Sequence, residues 1–342
     1  MNKKSLLILL IVLISLSLCG GLYLILFKDG KGGSGKTTTT TTTTTTAPPL
    51  KIVNPETKSR PFAIMVNNVD GARKLQSGLQ DAYIIYEMMV EGGITRYLAL
   101  FLDQTTERIG SIRSARHYYL DYALENDAIY VHHGYSPQAQ SDWSKLGVDR
   151  IEVSNTTGWR DKSVSKTYEY TLFTNIEKLN KGIGSKRTER NKDLLLEYSV
   201  YDIDLSEKEE AKEANKVSIP YSNGTKNTYE YDAENKVYKR SVNGKAQTDY
   251  VTGKQLTVKN IITYKVKYSN IASDKKGRQT IDNIGSGEGY FISNGYAVPI
   301  TWEKSSRSKA TVYKYKDGTE IVVNDGNTFI QIQPSNQSLT IE

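Results

Sequence analysis

Cysteine is nearly absent from this chain: of 342 residues only Cys19 is one, and it stands in the apolar N-terminal stretch. No disulfide can therefore form within the remainder, which has to be held together by its core. Histidine is almost as scarce. His117, His132 and His133 are the full set, with no cysteine beside them, so the Cys/His spacing of a structural zinc site is excluded. A large charge excess is missing too. The overall +7 belongs mostly to the first 46 residues; residues 47–215 carry 22 basic and 25 acidic groups and residues 216–342 carry 18 and 12, near −3 and +6. So small an imbalance argues against nucleic acid as a partner. It fits attraction between the two halves, or of the second half to an anionic envelope polymer.

What is present begins with a membrane signal. Lys3 and Lys4 precede a stretch, Leu6 to Phe27, without a charged residue. Roughly twenty helical residues at about 1.5 Å each span a hydrocarbon core of about 30 Å, and the positive flank keeps the N-terminus in the cytoplasm and sends the rest outside. The expectation is a single-pass anchor over residues 6–27 with the folded part external. The alternative is a lipid anchor at Cys19, because Leu16-Ser17-Leu18-Cys19 resembles a lipobox; Leu18 is bulky for that role. Gly30 to Thr37 spells the G-x4-G-K-T expression of a phosphate-binding loop, but a working loop follows a buried strand and opens a helix. Here it follows the apolar segment and runs into ten threonines, Thr37–Thr46. No nucleotide is expected at Gly30–Thr37. The threonine tract with Ala47-Pro48-Pro49 reads as a flexible stalk.

Beyond the stalk, the pattern predicts a mixed α/β, or α+β, N-terminal ectodomain followed by a β-rich C-terminal domain. The expected boundaries are an anchor at 1–28, a stalk at 29–54, the mixed domain at 55–205, a charged helical spacer at 206–216 and the β-rich domain at 217–342. In the first domain Phe62–Val66 reads as a strand, 83–90 and 94–102 as a hairpin, 115–125 as a helix, 128–133 as a buried strand and Pro137–Leu146 as a helix. Past residue 216, strands alternate with turn pairs such as Asn243-Gly244 and Asp325-Gly326.

The chemistry concentrates between Tyr83 and Ser136, where all three histidines lie. Gly92-Gly93 suits a two-residue hairpin loop, since both positions of a primed turn need positive φ. That loop would set Glu91 opposite Ile94, Met89 opposite Arg96 and Glu87 opposite Leu98, leaving Glu87, Glu91 and Arg96 on one face as a Glu-Arg-Glu cluster. The two carboxylates would stand roughly 13 Å apart along the strand, too far for a glycosidase pair at about 5–9.5 Å. Ser114 is placed to cap the following helix, and free N–H groups there would lie beside Arg113 and Arg116, a ready anion site. Ser136-Pro137 opens a second helix in the favoured order. A cofactor is not expected; a divalent metal is the one addition that His117 with Asp121, four apart, would admit. His132 is the remaining candidate near the converging helix starts.

These residues carry a resemblance. Arg60-Pro61-Phe62-Ala63, Tyr86-Glu87, Val90 to Arg96, Gly110 to Arg116 and Asp127 to Tyr130, with Tyr238-Lys239-Arg240, Asp249, Asn260, Trp302-Glu303-Lys304 and Asp325-Gly326, are similar to the YerB-like bacterial lipoprotein family, a domain of unknown function (DUF 3048). The resemblance implies an exported, envelope-attached, two-domain protein and no established reaction. The element order is also similar to that of LytR-CpsA-Psr phosphotransferases, in which Arg96, Arg113 and Arg116 would take the arginine part; Tyr97 stands where that family has an aspartate.

Two functional expectations follow. The first is a non-catalytic, membrane-attached envelope protein that binds an anionic envelope polymer, a lipid-linked precursor or an envelope protein through Arg96, Arg113, Arg116, Ser114 and His132. The second is an enzyme, a phosphotransferase or hydrolase of wall precursors or glycan, using Glu87, Glu91, His117 or His132 for acid-base work.

Overall fold

The computed structural model describes residues 49–272 and 274–342. The apolar segment 6–27, the glycine-lysine stretch 30–37 and the threonine tract lie outside the described residues. Among the described residues no helix is long and apolar enough to cross a membrane.

The elements that place the site are, from the first half, β1 (Phe62–Asn67), β2 (Ile84–Met89), β3 (Thr95–Phe101), α1 (His117–Glu125), β4 (Ile129–His132), α2 (Pro137–Lys145) and β5 (Arg150–Glu152). The second half adds β6 (Lys212–Glu213), β7 (Lys216–Ser222), β8 (Thr225–Asp232), β9 (Val237–Val242), β10 (Asn260–Val266), β11 (Gly285–Ser293), β12 (Tyr296–Lys304), β13 (Val312–Tyr315) and β14 (Thr328–Pro334). The fold is thus mixed but rich in strand. One sheet of 11 strands runs β6, β12, β11, β10, β14, β2, β3, β1, β4, β5, with β13 added on β12. Its seam joins distant parts of the chain, since β2 pairs in parallel with β14 from Ile84↔Thr328 to Met88↔Ile332. A second sheet of six strands is built on β7, β8 and β9.

Burial explains the layering. β2 reads IIYEMM and is buried on both faces, as a strand in the middle of a covered sheet must be. Ile85, Tyr97, Ala99 and Phe329 pack with Tyr221, Tyr229 and Tyr238 of the smaller sheet. Tyr86, Met88, Leu98 and Ile330 pack instead with Tyr118, Tyr119 and Tyr122 of α1. The large sheet is therefore the middle layer, α1 covers one face and the six-stranded sheet the other.

Three local expectations are corrected. The hairpin register slips by one residue: Met89 pairs with Thr95, Met88 with Arg96 and Glu87 with Tyr97. The loop is a longer turn closed by Val90 N–H donating to the Ile94 carbonyl at 2.8 Å, with Gly92 and Gly93 both at positive φ. The second half holds it there. Ser222 Oγ and Thr225 Oγ1 donate to the Gly93 carbonyl at 2.7 and 2.9 Å, and a Cβ on Gly93 would meet Ser222 Oγ at 2.9 Å. Ser114 does not cap α1. Residues 113–115 are tied down as extended chain, with Arg113 N–H on the Met65 carbonyl at 2.9 Å and Ala115 N–H on the Gly134 carbonyl at 3.0 Å, so the helix waits until His117 with Arg116 at its cap position. The charged stretch after Ser206 is not a helix. Having no apolar face to bury, it forms one 3-10 turn at Leu205–Glu207 and then the edge strand β6. Ser136 does cap α2, accepting from Ala139 N–H at 3.1 Å.

Candidate functional site

The register decides where each charged side chain goes. Directly paired residues share a face, so Arg96, opposite Met88, projects toward α1, while Glu87, opposite Tyr97, projects toward the six-stranded sheet. The expected Glu-Arg-Glu cluster is split by the middle layer.

On the α1 side, Glu91 in the turn gathers the arginines. Arg116 donates to both of its oxygens, Nε at 2.5 Å and Nη2 at 2.8 Å, a two-pronged geometry that arginine makes and lysine cannot. Arg96 Nη2 stands 3.5 Å from the same carboxylate, and its Nη1 donates to the Ser114 carbonyl at 2.8 Å. Arg113 lies close enough to feel both other guanidiniums. Among the described residues the Nε atoms of Arg96 and Arg113 are buried without a partner. Two cations thus share one carboxylate, with a third beside them whose foremost charged neighbour is Glu169.

The electrostatics register the imbalance. Arg96 is pulled down to about 10, first by burial and then by the charge of Arg116; it still carries its proton at neutral pH. Arg113 is lowered as well, by burial and, with Glu169 acting against it, by Arg116. For Glu91 burial works upward, but its hydrogen bonds and charge contact with Arg116, helped by Arg96, hold the carboxyl below its ordinary value. Burial works downward on Arg116 and the bonded Glu91 overrides it, raising that group.

Across the sheet the carboxylate itself is fully met, although Arg240 Nη1 and Asn227 Oδ1 are buried without a partner among the described residues. Glu87 is fully buried; its Oε2 accepts from Arg240 at 2.7 Å, Asn227 at 2.8 Å and Gln331 at 3.0 Å, and its Oε1 from Thr95 at 2.6 Å and Asn68 at 3.3 Å. Such a group has no free lone pair for a substrate. Arg240, Asn227 and Gln331 escaped sequence reasoning, because a partner 153 positions away leaves no local spacing to read.

The histidines do not join the arginines. His132 is buried, stacked on Trp143 at 5.4 Å, with Nδ1 against the Gly134 carbonyl at 2.9 Å; burial drops it to about 4. His117 meets Thr280 Oγ1 at 3.2 Å through Nε2 and is likewise lowered to about 4 by burial. Asp121, its expected metal partner, is bound to Arg307 at 2.7 Å and Asn283 at 3.0 Å. Among the described residues no three His, Cys, Asp or Glu side chains come together around one point. Ser114 contributes its carbonyl rather than a cap. A cavity of about 680 Å³ opens elsewhere on the large sheet, beside Lys212, Lys265, Glu288 and Tyr290.

Comparison with known proteins places these residues in a wider group. The chain matches the N-terminal domain of the "Protein of unknown function (DUF3048)" family over residues 49–189 and its C-terminal domain over residues 217–330. It is 33% identical over 301 residues to "Putative lipoprotein YerB" of Bacillus subtilis (strain 168), covering 85% of this chain and 86% of that protein. The crystal structure of YerB protein from Bacillus subtilis matches with a TM-score of 0.71 at 30% identity, over 83% of this chain and 94% of that one. These comparisons show no likeness to the LytR-CpsA-Psr phosphotransferases.

Proposed function

The chain belongs to the DUF3048 family, both of whose domains it carries in order, and from that premise we propose that it is a membrane-attached envelope protein that binds an anionic group through Arg96, Arg113 and Arg116. One observation carries the reading: Arg96 and Arg116 pair with the single carboxylate of Glu91, Arg113 lies beside them, and among the described residues the Nε donors of Arg96 and Arg113 have no partner. A cluster whose own counterion is insufficient is attracted to an external one. The ligand class is an anionic envelope polymer or a lipid-linked precursor. Attachment is through the first 28 residues, and the naming of the Bacillus relative as a lipoprotein favours lipid at Cys19 over a spanning helix.

Catalysis is the weaker reading. Glu87 is consumed by Arg240, Asn227 and Gln331, Glu91 by Arg116. The test is co-sedimentation of the full chain, reconstituted in phosphatidylcholine vesicles, with a polyprenyl-pyrophosphate precursor or with teichoic acid. The double substitution Arg113→Ala with Arg116→Ala should abolish retention; retention equal to the parent protein's rejects the proposal.

A further inference from the structure

The arginine cluster has an inner wall. On the β1–β3 ladder Asn67 stands opposite Arg96. On the other edge of β1, Val66 bridges Ile112, with Asn67 N–H on the Ser111 carbonyl and Arg113 N–H on the Met65 carbonyl, both at 2.9 Å. That pattern puts Ser111 opposite Asn67 and Arg113 opposite Met65. Arg96, Asn67, Ser111 and Arg113 therefore project from two adjacent strands and the extended segment beside them onto one face, the face where Met65 packs with the α1 tyrosines.

Each of the four holds a buried polar atom with no hydrogen-bond partner among the described residues: Arg96 Nε, Asn67 Nδ2, Ser111 Oγ and Arg113 Nε. Arg96, Asn67 and Ser111 are 3%, 1% and 0% exposed. Leaving a buried donor unmade costs about 1–3 kcal/mol, and native interiors seldom do so without a reason. Four neighbours doing so on one face present a row of donors suited to an acceptor. All four atoms can donate. They approach from different strands about 4.8 Å apart, which suits a group with oxygens pointing in several directions better than a planar carboxylate with two. The charge agrees: three guanidiniums against Glu91 and Glu169 leave one positive charge over. Glu169 and Tyr170 are the next groups toward Arg113, and Glu169 forms no ion pair with it among the described residues. Arg113, the least buried of the four, is the side chain that admits a guest.

We propose that the ligand group is a phosphate dianion, a phosphate monoester or the terminal phosphate of a pyrophosphate, held against the strands by Asn67, Ser111, Arg96 and Arg113. This rests on the anion-binding reading above and specifies its ligand. It is tested by titration calorimetry of the full chain in detergent micelles with inorganic phosphate, pyrophosphate and succinate. Phosphate and pyrophosphate should bind at least about tenfold tighter than succinate, and sulfate, also tetrahedral and doubly charged, should compete. Ser111→Ala should weaken phosphate about tenfold, the loss of about 1.4 kcal/mol expected for one hydrogen bond to a charged group. Asn67→Asp, which keeps the shape and places a carboxylate in the wall, should abolish it; thermal melting confirms that both variants fold. Succinate equal to phosphate, with Ser111→Ala neutral, overturns the phosphate assignment and leaves the arginine site standing. Binding of no anion at all by the parent chain removes both.

Discussion

Glu87 and Glu91 sit four residues apart and each holds an arginine, yet they live in opposite chemical worlds. Glu87 lies between two sheets with one guanidinium, Arg240, and both partners are wholly buried. Each of its oxygens is met, and the local charge is closed. Glu91 lies in the turn before the start of β3, partly exposed, with two arginines paired and a third nearby. The contrast teaches that an ion pair's meaning is in its surplus. A charge-balanced cluster specifies a fold; one with charge left over is available for a ligand.

The sharpest way to break that contrast is to open the closed side. Arg240→Ala leaves Glu87 charged and buried, which should cost about 3–5 kcal/mol. Urea unfolding reads it, and a loss below about 1 kcal/mol would mean that the network is not structural. Replacing both partners, Glu87→Leu with Arg240→Met, should recover most of the loss, since no charge is then left unpaired. Per folded molecule neither variant should alter anion binding.

A smaller effect is expected on the open side. Glu91→Gln removes the internal counterion and should tighten phosphate binding about tenfold, or about 1.4 kcal/mol, while lowering stability modestly because three guanidiniums are left facing one another. Weaker phosphate binding in this variant would show that Glu91 shapes the site more than it competes for it. The same carboxylate gives an acid limb. Its folded value is held below the ordinary one near 4.5, so its contribution is present above that value and is lost as pH falls through the lower, folded one. Glu91→Gln should flatten the melting curve's dependence on pH in that window.

The histidines supply the mildest test. His117 and His132 are lowered by burial to about 4 from 6.5. The unfolded chain takes up protons first, so stability is full above about 6.5 and declines as pH falls from there toward 4. His132→Phe, which keeps a ring against Trp143, should remove part of that slope in pH-dependent melting; an unchanged slope would place the titration elsewhere. Outside the described residues, Cys19→Ala should release the chain from the membrane fraction if lipid is the anchor, and should have no effect if residues 6–27 span.

Much of the local structure was legible. The Ser136-Pro137 helix start, the strand at residue 62 and the alternating second half follow from capping chemistry and period-two burial, which act over a few residues. The turn at Gly92-Gly93 was visible as a turn, but not its length, because Ser222 and Thr225 grip the Gly93 carbonyl from 129 and 132 positions away. The motif Gly110 to Arg116 was visible as a place dense in chemistry; that Ser111 and Arg113 extend a row from Asn67 and Arg96 was not.

By composition and spacing alone, this chain determined that its folded part closes without disulfides, that its second half is strand-rich, and that arginines collect near residue 96 and residues 113–116. Tertiary structure alone decided which carboxylate those arginines meet. The reason is physical: one residue of register turns every side chain of a strand to the other face, and that residue is set by contacts between parts of the chain too distant for any local pattern to record.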